Sequence, residues 1–212
     1  MSDVIAKRNA LAAQRVIRML QARHHEAYYA LDRAEALKIA LSLIPEGASV
    51  GWGGSLSVEQ IGLKDAVRAG NSRAIARDRA ASPEEKAALE RQAFFADAYL
   101  MGTNALTEDG QLVNIDGRGN RVAALCYGPE RVIVIAGINK LAADLESAIS
   151  RARHTAAPIN AQRFPGKTPC CERGICGDCH ADDCICSQIV ITRGSMTPGR
   201  IKVILVGEAL GF

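Results

Sequence analysis

Aromatic residues make up only 4% of this 212-residue chain, which excludes base-stacking platforms and the aromatic grooves that hold carbohydrate. Charge of one sign is also lacking. Lys and Arg number 26 against 23 Asp and Glu, a net of +3, far short of the basic footprint of a nucleic-acid binder. Long apolar runs are missing too: the longest, Val132–Ile138, has seven residues and cannot span a bilayer. The opening MSDVIAKRNA carries no apolar signal core, so a cytoplasmic protein is expected, with neither nucleic acid nor membrane among its partners.

Cysteine is nearly absent from most of the chain and dense in one place. Of seven cysteines, six lie within Cys170–Cys186, and only Cys126 stands elsewhere. A secreted disulfide framework would spread its cysteines, so the cluster reads as metal-binding or redox-active. Cys126, beside Tyr127 in an apolar run, reads as a core residue.

What is present is an α/β pattern. With 48% hydrophobic residues the chain is long enough to bury a real core, and a single domain over 1–212 is expected. Asp3–Ala22 has helical spacing through Val4, Leu11, Val16, Met19 and Leu20. Strands are expected at Glu26–Ala30, Ser49–Gly51, Arg73–Ala76, Ala98–Gly102 and Arg131–Gly137. Helices are expected from Asp32 to Leu43, Val58 to Arg68, Ser82 to about Ala96, after Asn120, and from Asp144 to about Arg153. Asp109-Gly110 between apolar residues marks a hairpin turn. Alternating strands and helices predict a mostly parallel, Rossmann-like sheet covered by helices on both faces. Residues 155–187 lack periodicity and form an irregular Cys-rich segment. Ser187–Arg193 and Ile201–Val206 then read as the strands of a closing β-hairpin.

Two kinds of site are visible. In the first, Cys171, Cys176 and Cys179 have the C-x4-C-x2-C spacing of some iron–sulfur proteins. Cys170, Cys176, Cys179 and Cys186 form the leading ligand set, with Cys171 and Cys184 as further candidates. Soft thiolates suit an Fe–S cluster, of the 4Fe-4S type for instance, or a closed zinc site; spacing does not decide between them.

The second is a set of polar loops at strand ends. Gly53-Gly54-Ser55 offers backbone N–H groups at a strand–helix turn. Thr103, Asn104, Asp109, Asn114, Gly119, Asn120 and Arg121 crowd the next segment, and Arg121 can pair bidentately with an anion. Asn139 and Lys140 end another strand. Ligands of open α/β sheets gather at the carboxyl edge, so a small anionic metabolite is expected there.

These segments together resemble the lactate-utilisation (LUD) domain family. The resemblance rests on Trp52-Gly53-Gly54-Ser55, Thr103-Asn104, Asp109-Gly110, Asn114, Gly119-Asn120-Arg121, Gly137-Ile138-Asn139-Lys140, Asn160-Ala161-Gln162-Arg163 and Gly207–Phe212. It implies a fold related to the phosphosugar-isomerase and CoA-transferase superfamily. It also implies a link to oxidation of lactate or another 2-hydroxy acid, with other Fe–S redox subunits as expected partners; separately from the resemblance, a homo-oligomer is among the partners considered. Phosphosugar isomerases carry an aspartate where this chain has Asn104, and an amide cannot act as a general base. Glu208 is a weak match to the nucleophilic glutamate of CoA-transferases. Two alternatives to an oxidoreductase component stand beside it: a zinc-stapled metabolite-binding regulator, and a transferase or isomerase for a phosphorylated or CoA-linked substrate.

Overall fold

The computed structural model describes residues 3–212, so the first two residues of the opening segment lie outside the described residues. Helix α1 (Asp3–Ala22) leads into strand β1 (Glu26–Ala30) and helix α2 (Arg33–Ser42), capped by the Asp32 carboxylate on the Glu35 N–H. Strand β2 (Ser49–Trp52), helices α3 (Leu56–Gln60) and α4 (Leu63–Ala69), and strand β3 (Arg73–Ile75) follow. Helix α5 (Pro83–Gln92) starts with Ser82 at its cap and Pro83 in its first turn. Then come β4 (Ala98–Gly102), β5 (Ala105–Thr107), β6 (Leu112–Asp116), α6 (Asn120–Cys126), β7 (Arg131–Gly137) and β8 (Leu141–Ala142). Helix α7 (Leu145–Arg151) passes through a π-helical turn into α8 (Ala157–Ala161). Helix α9 (Pro169–Arg173), β9 (Gln188–Thr192) and β10 (Ile201–Val206) complete the chain.

Six strands form an all-parallel sheet in the order β1-β10-β7-β4-β2-β3. Its central strands are apolar on both sides, as a sheet covered on both faces requires. The period of two divides them cleanly. Val132, Val134 and Ala136 pack with Val203 and Leu205 under α1, whereas Ile133 and Ile135 pack with Ile204 and Val206 around Trp52 and α4. A second, mixed sheet has the order β8-β5-β6-β9, and its β5–β6 pair is the hairpin that Asp109-Gly110 announces.

Several expectations are corrected. The last two strands are not a hairpin: β9 pairs antiparallel with β6, while β10 lies between β1 and β7 in the parallel sheet. The helix expected over Val58–Arg68 is two, because Gly62 turns into the left-handed region at φ +74° and caps α4. Irregularity begins later than residue 155, since α8 runs to Ala161, and α9 interrupts it. Helix α1 buries Asn9, Ala13, Val16 and Leu20, leaving Val4, Leu11 and Met19 exposed. Cys126, at the end of α6, is exposed rather than core.

The chain end returns to the sheet over Gly137. A Cβ there would sit 2.7 Å from the Glu208 carbonyl oxygen and closer still to the Leu210 amide, both backbone atoms that cannot swing aside. Gly137→Ala is therefore expected to destabilise by about 2 kcal/mol, lowering Tm by roughly 4–8 °C. An unchanged melting curve would show that the terminal segment does not pack as described.

Candidate functional site: a cationic cavity beside a thiol-lined lobe

The carboxyl ends of β2, β4, β7 and β10 converge with the end of β6 around a cavity of about 430 Å³. Ser55 and Gly54 enter it after β2, Thr103 and Asn104 after β4, and Lys140 after β7. Gly211 and Phe212 enter after β10, and Asp116, Gly117 and Arg118 after β6. The three polar loops expected to share an edge do share one. Helix α3 behind Ser55 has only five residues, so its dipole contributes little; Ser55 itself caps it, accepting from the Val58 N–H at 3.3 Å.

Arg121, from the first turn of α6, fills the floor. Nη1 donates to the Gly102 carbonyl at 3.2 Å and to Asn114 Oδ1 at 2.7 Å. Nη2 donates to Asn104 Oδ1 at 3.2 Å and to the Ile115 carbonyl at 2.6 Å. Nε faces Asp116 Oδ2 at 3.6 Å. Four of the five guanidinium N–H groups are thereby committed to protein acceptors and the fifth faces the Asp116 carboxylate, so the fork is spent on the protein rather than on a bound anion. Burial pushes the guanidinium toward losing its proton and Asp116 opposes that. Gly53 is required by the same side chain: a Cβ there would stand 3.0 Å from Arg121 Cδ. Asn114 is fully buried. Asn104 gives its oxygen to Arg121 and to the Ile115 N–H at 2.9 Å, which leaves its amide NH₂ for the cavity.

Other expected residues work at a distance. Asp109 does not line the cavity; its carboxylate is held by Arg23 in the hairpin turn, 2.5 Å away. Gly119 turns the chain into α6 at φ +79°. Asn139 pins the terminal segment by accepting from the Leu210 N–H at 3.0 Å. Asn120 does line the wall. Lys140 is buried, donating to Ser57 Oγ and the Thr103 carbonyl at 2.9 Å each. Burial, with Arg151 and Arg121 nearby, pulls its pKa down to about 7.

The outer rim is built from residues that the sequence does not assign to the site, although Asn160 and Arg163 belong to the stretch that carries the family resemblance. Arg77, Lys86, Glu90, Asn160 and Arg163 all line it. Arg77 pairs with Glu90, but Lys86 and Arg163 have no carboxylate partner among the described residues. Arg77 follows β3 at the same strand edge and could have been found by that signal. Lys86 and Glu90, four apart on α5, look like any solvated helix face.

The cysteine lobe lies against this cavity. A second hollow, about 520 Å³, is lined by Cys170, Cys176, Cys179, Cys184 and Cys186. Cys171 does not line it: its Sγ lies toward the Ala161 carbonyl, while the Thr168 hydroxyl stands 3.1 Å from both Cys170 Sγ and Cys171 Sγ. Of the two adjacent cysteines, Cys170 is thus the one that faces the others. All seven cysteines are free thiols. Burial and the neighbouring Cys184, Cys170 and Cys176 push the Cys186 thiol up to about 12. No three His, Cys, Asp or Glu side chains among the described residues are already closed on a single point as a bare metal ion would draw them. Five soft donors around one hollow nevertheless suit a sulfur-ligated centre by their chemistry. Ile115 and Ile185 line both hollows. Gly117 permits the contact, since a Cβ there would meet the Ile185 backbone at 3.2 Å. No helix among the described residues is long and apolar enough to cross a membrane.

A doubly covered parallel sheet with a polar, cation-rimmed cavity at its carboxyl edge defines an α/β protein whose cavity stands where open sheets of this class hold ligands. The chain belongs to the LUD, or lactate-utilisation, domain family, whose sequence profile matches residues 13–206. Among solved structures it is similar to a DUF162 family protein from Deinococcus radiodurans, with a TM-score of 0.55 and 13% identity over 94% of this chain and 98% of that one. That likeness establishes the fold. No curated protein matches the sequence.

Because Arg121 ties β4, β6 and α6 together, Arg121→Met should cost about 3–5 kcal/mol in urea unfolding by stranding the Asn114 and Asn104 oxygens and the Gly102 and Ile115 carbonyls that it holds. Arg121→Lys should rescue little, since three ammonium donors cannot replace a five-donor fork. A full rescue by lysine would contradict the role assigned to the hydrogen-bond geometry.

Proposed function

We propose that the cavity binds a small anionic metabolite, a 2-hydroxy acid such as lactate being the leading class, in support of its oxidation. The cysteine lobe, on this reading, carries a redox metal centre beside it. The observation that carries the proposal is the shared wall: Ile115 and Ile185 separate a cationic cavity from a hollow lined by five thiols. Membership of a family linked to lactate utilisation supports the same direction.

The side chains divide the work. Lys86 and Arg163, which have no carboxylate partner among the described residues, attract and neutralise the anion at the rim. The Asn104 amide donates to its carboxylate, held in aim because its oxygen is fixed by Arg121 and the Ile115 N–H. Cys170, Cys176, Cys179 and Cys186 hold the centre, with Cys184 as a spare thiol. A 4Fe-4S cluster there would exchange single electrons with other Fe–S subunits, whereas zinc would only brace the lobe. Such thiols stay reduced in cytoplasm, where this reading locates the protein. The isomerase alternative is disfavoured: the Asn104 amide cannot accept a proton, and its oxygen is already engaged.

Calorimetry and thermal melts with D- and L-lactate, glycolate and a phosphosugar test the proposal. At 100-fold excess over Kd a 2-hydroxy acid should add about 2.7 kcal/mol, raising Tm by about 5–10 °C. Arg163→Ala should weaken binding about tenfold, the cost of one charge-assisted contact. Binding of the phosphosugar alone would replace the hydroxy acid by a phosphorylated ligand, and no binding by any of them would remove the anion site.

A further inference from the structure

Lys140 is unlike the rim cations. It sits at the closed end of the cavity, in the turn after β7, and its amine meets no carboxylate among the described residues. Its two acceptors are neutral, the Ser57 hydroxyl and the Thr103 carbonyl, each 2.9 Å away. Those two bonds use both hydrogens of an uncharged amine and leave the lone pair over. The charged side chains that bear on it are both cations, Arg151 from α7 and Arg121 from α6, and the Phe212 oxygen at the same end of the cavity is taken up by Arg151 at 3.3 Å. Helix α3 and the end of β4 present only the hydroxyl and the carbonyl.

The space in front of the amine is kept open by Gly211. That residue has φ +59°, and a Cβ on it would lie 3.3 Å from Lys140 Nζ and 2.8 Å from Ser57 Oγ. A buried amine with neutral acceptors, cationic neighbours and a clear approach from the cavity is arranged as a nucleophile, not as an ion-pair partner. Burial and the two guanidiniums leave a large share of it unprotonated near neutral pH.

We propose that Lys140 is a nucleophilic amine that condenses with the carbonyl carbon of a 2-oxo acid, the oxidised counterpart of a 2-hydroxy acid, seated in this cavity. The inference rests on the anion-site reading above. The Nζ lone pair adds to the carbonyl carbon and the carbonyl oxygen takes up a proton. That oxygen then leaves as water with the protons the nitrogen gives up, and a C=N bond replaces C=O. Nothing is oxidised or reduced in the exchange. Ser57, whose Oγ accepts from Lys140 and donates to the Leu210 carbonyl at 3.4 Å, is placed to pass the proton between nitrogen and oxygen.

The test uses the full chain with pyruvate and, separately, glyoxylate, followed by borohydride reduction and peptide mass mapping. The expected result is one reduced adduct confined to Lys140 and absent from Lys140→Arg. Its rate of formation should rise with pH through about 7 and level off above. L-lactate, which has no carbonyl, should compete without forming an adduct. Ser57→Ala should slow formation by about 100-fold, the lower end of general acid–base catalysis. Adducts spread over exposed lysines such as Lys38 and Lys86, or none at Lys140 while pyruvate still raises Tm, would overturn the lysine's role and leave the anion site standing. If neither pyruvate nor lactate shifts Tm, the anion site fails and this inference with it.

Discussion

A guanidinium enclosed by protein must find an acceptor for every N–H, and around Arg121 that requirement organises the functional edge of the molecule. Its partners come from the end of β4, from Asn104 beyond it, and from β6 at Asn114, Ile115 and Asp116. One side chain therefore joins the parallel sheet to the mixed sheet at the floor of the cavity. Gly53 has no side chain because Arg121 passes against it, and Asn104 is aimed because its oxygen is engaged. The charge that a sequence reading offers to a ligand is used to build the floor of the cavity. On the proposed reading, attraction of an anion falls to Lys86 and Arg163, which have no carboxylate partner among the described residues.

The topology explains why the cysteines matter at this edge. Strand β9 runs antiparallel to β6 with Gln188 opposite Asp116, so the residues just before it are drawn to this edge, Ile185 into the wall of the cavity and Cys186 into the adjoining hollow. Strand β10 then re-enters the parallel sheet and delivers Gly211 and Phe212 to the same cavity. Had β9 and β10 formed a hairpin, the cysteine lobe would have been tied to the edge of one sheet. Split between two sheets, the segment fastens the lobe against the ligand loops through Ile185 and Gly117.

How much of this the sequence discloses depends on the range of the interaction. Ala98–Gly102 and Arg131–Gly137 are legible because strands buried on both faces are apolar throughout. Asp32, Ser82 and Asp144 announce helix starts through contacts three residues away. The difference between the last two strands was also present in composition: IKVILV is buried on both sides, whereas QIVIT stays half-exposed along its length. Proximity in sequence outweighed that signal. The strand-end loops could be placed at one edge because parallel topology dictates it. The pairing of Arg77 with Glu90, the lack of a carboxylate partner for Lys86 and Arg163 among the described residues, and the placing of Cys170 rather than Cys171 in the hollow are tertiary outcomes with no local signature.

The central claim is that a redox centre on the cysteine lobe stands beside an anion-binding cavity. Anaerobic purification, followed by iron, zinc and acid-labile sulfide analysis and a visible spectrum recorded before and after adding lactate, tests it most directly. The account predicts iron with sulfide in near-equal amounts and a broad visible band that lactate perturbs. Zinc without sulfide, or a metal-free protein whose spectrum ignores lactate, would contradict it.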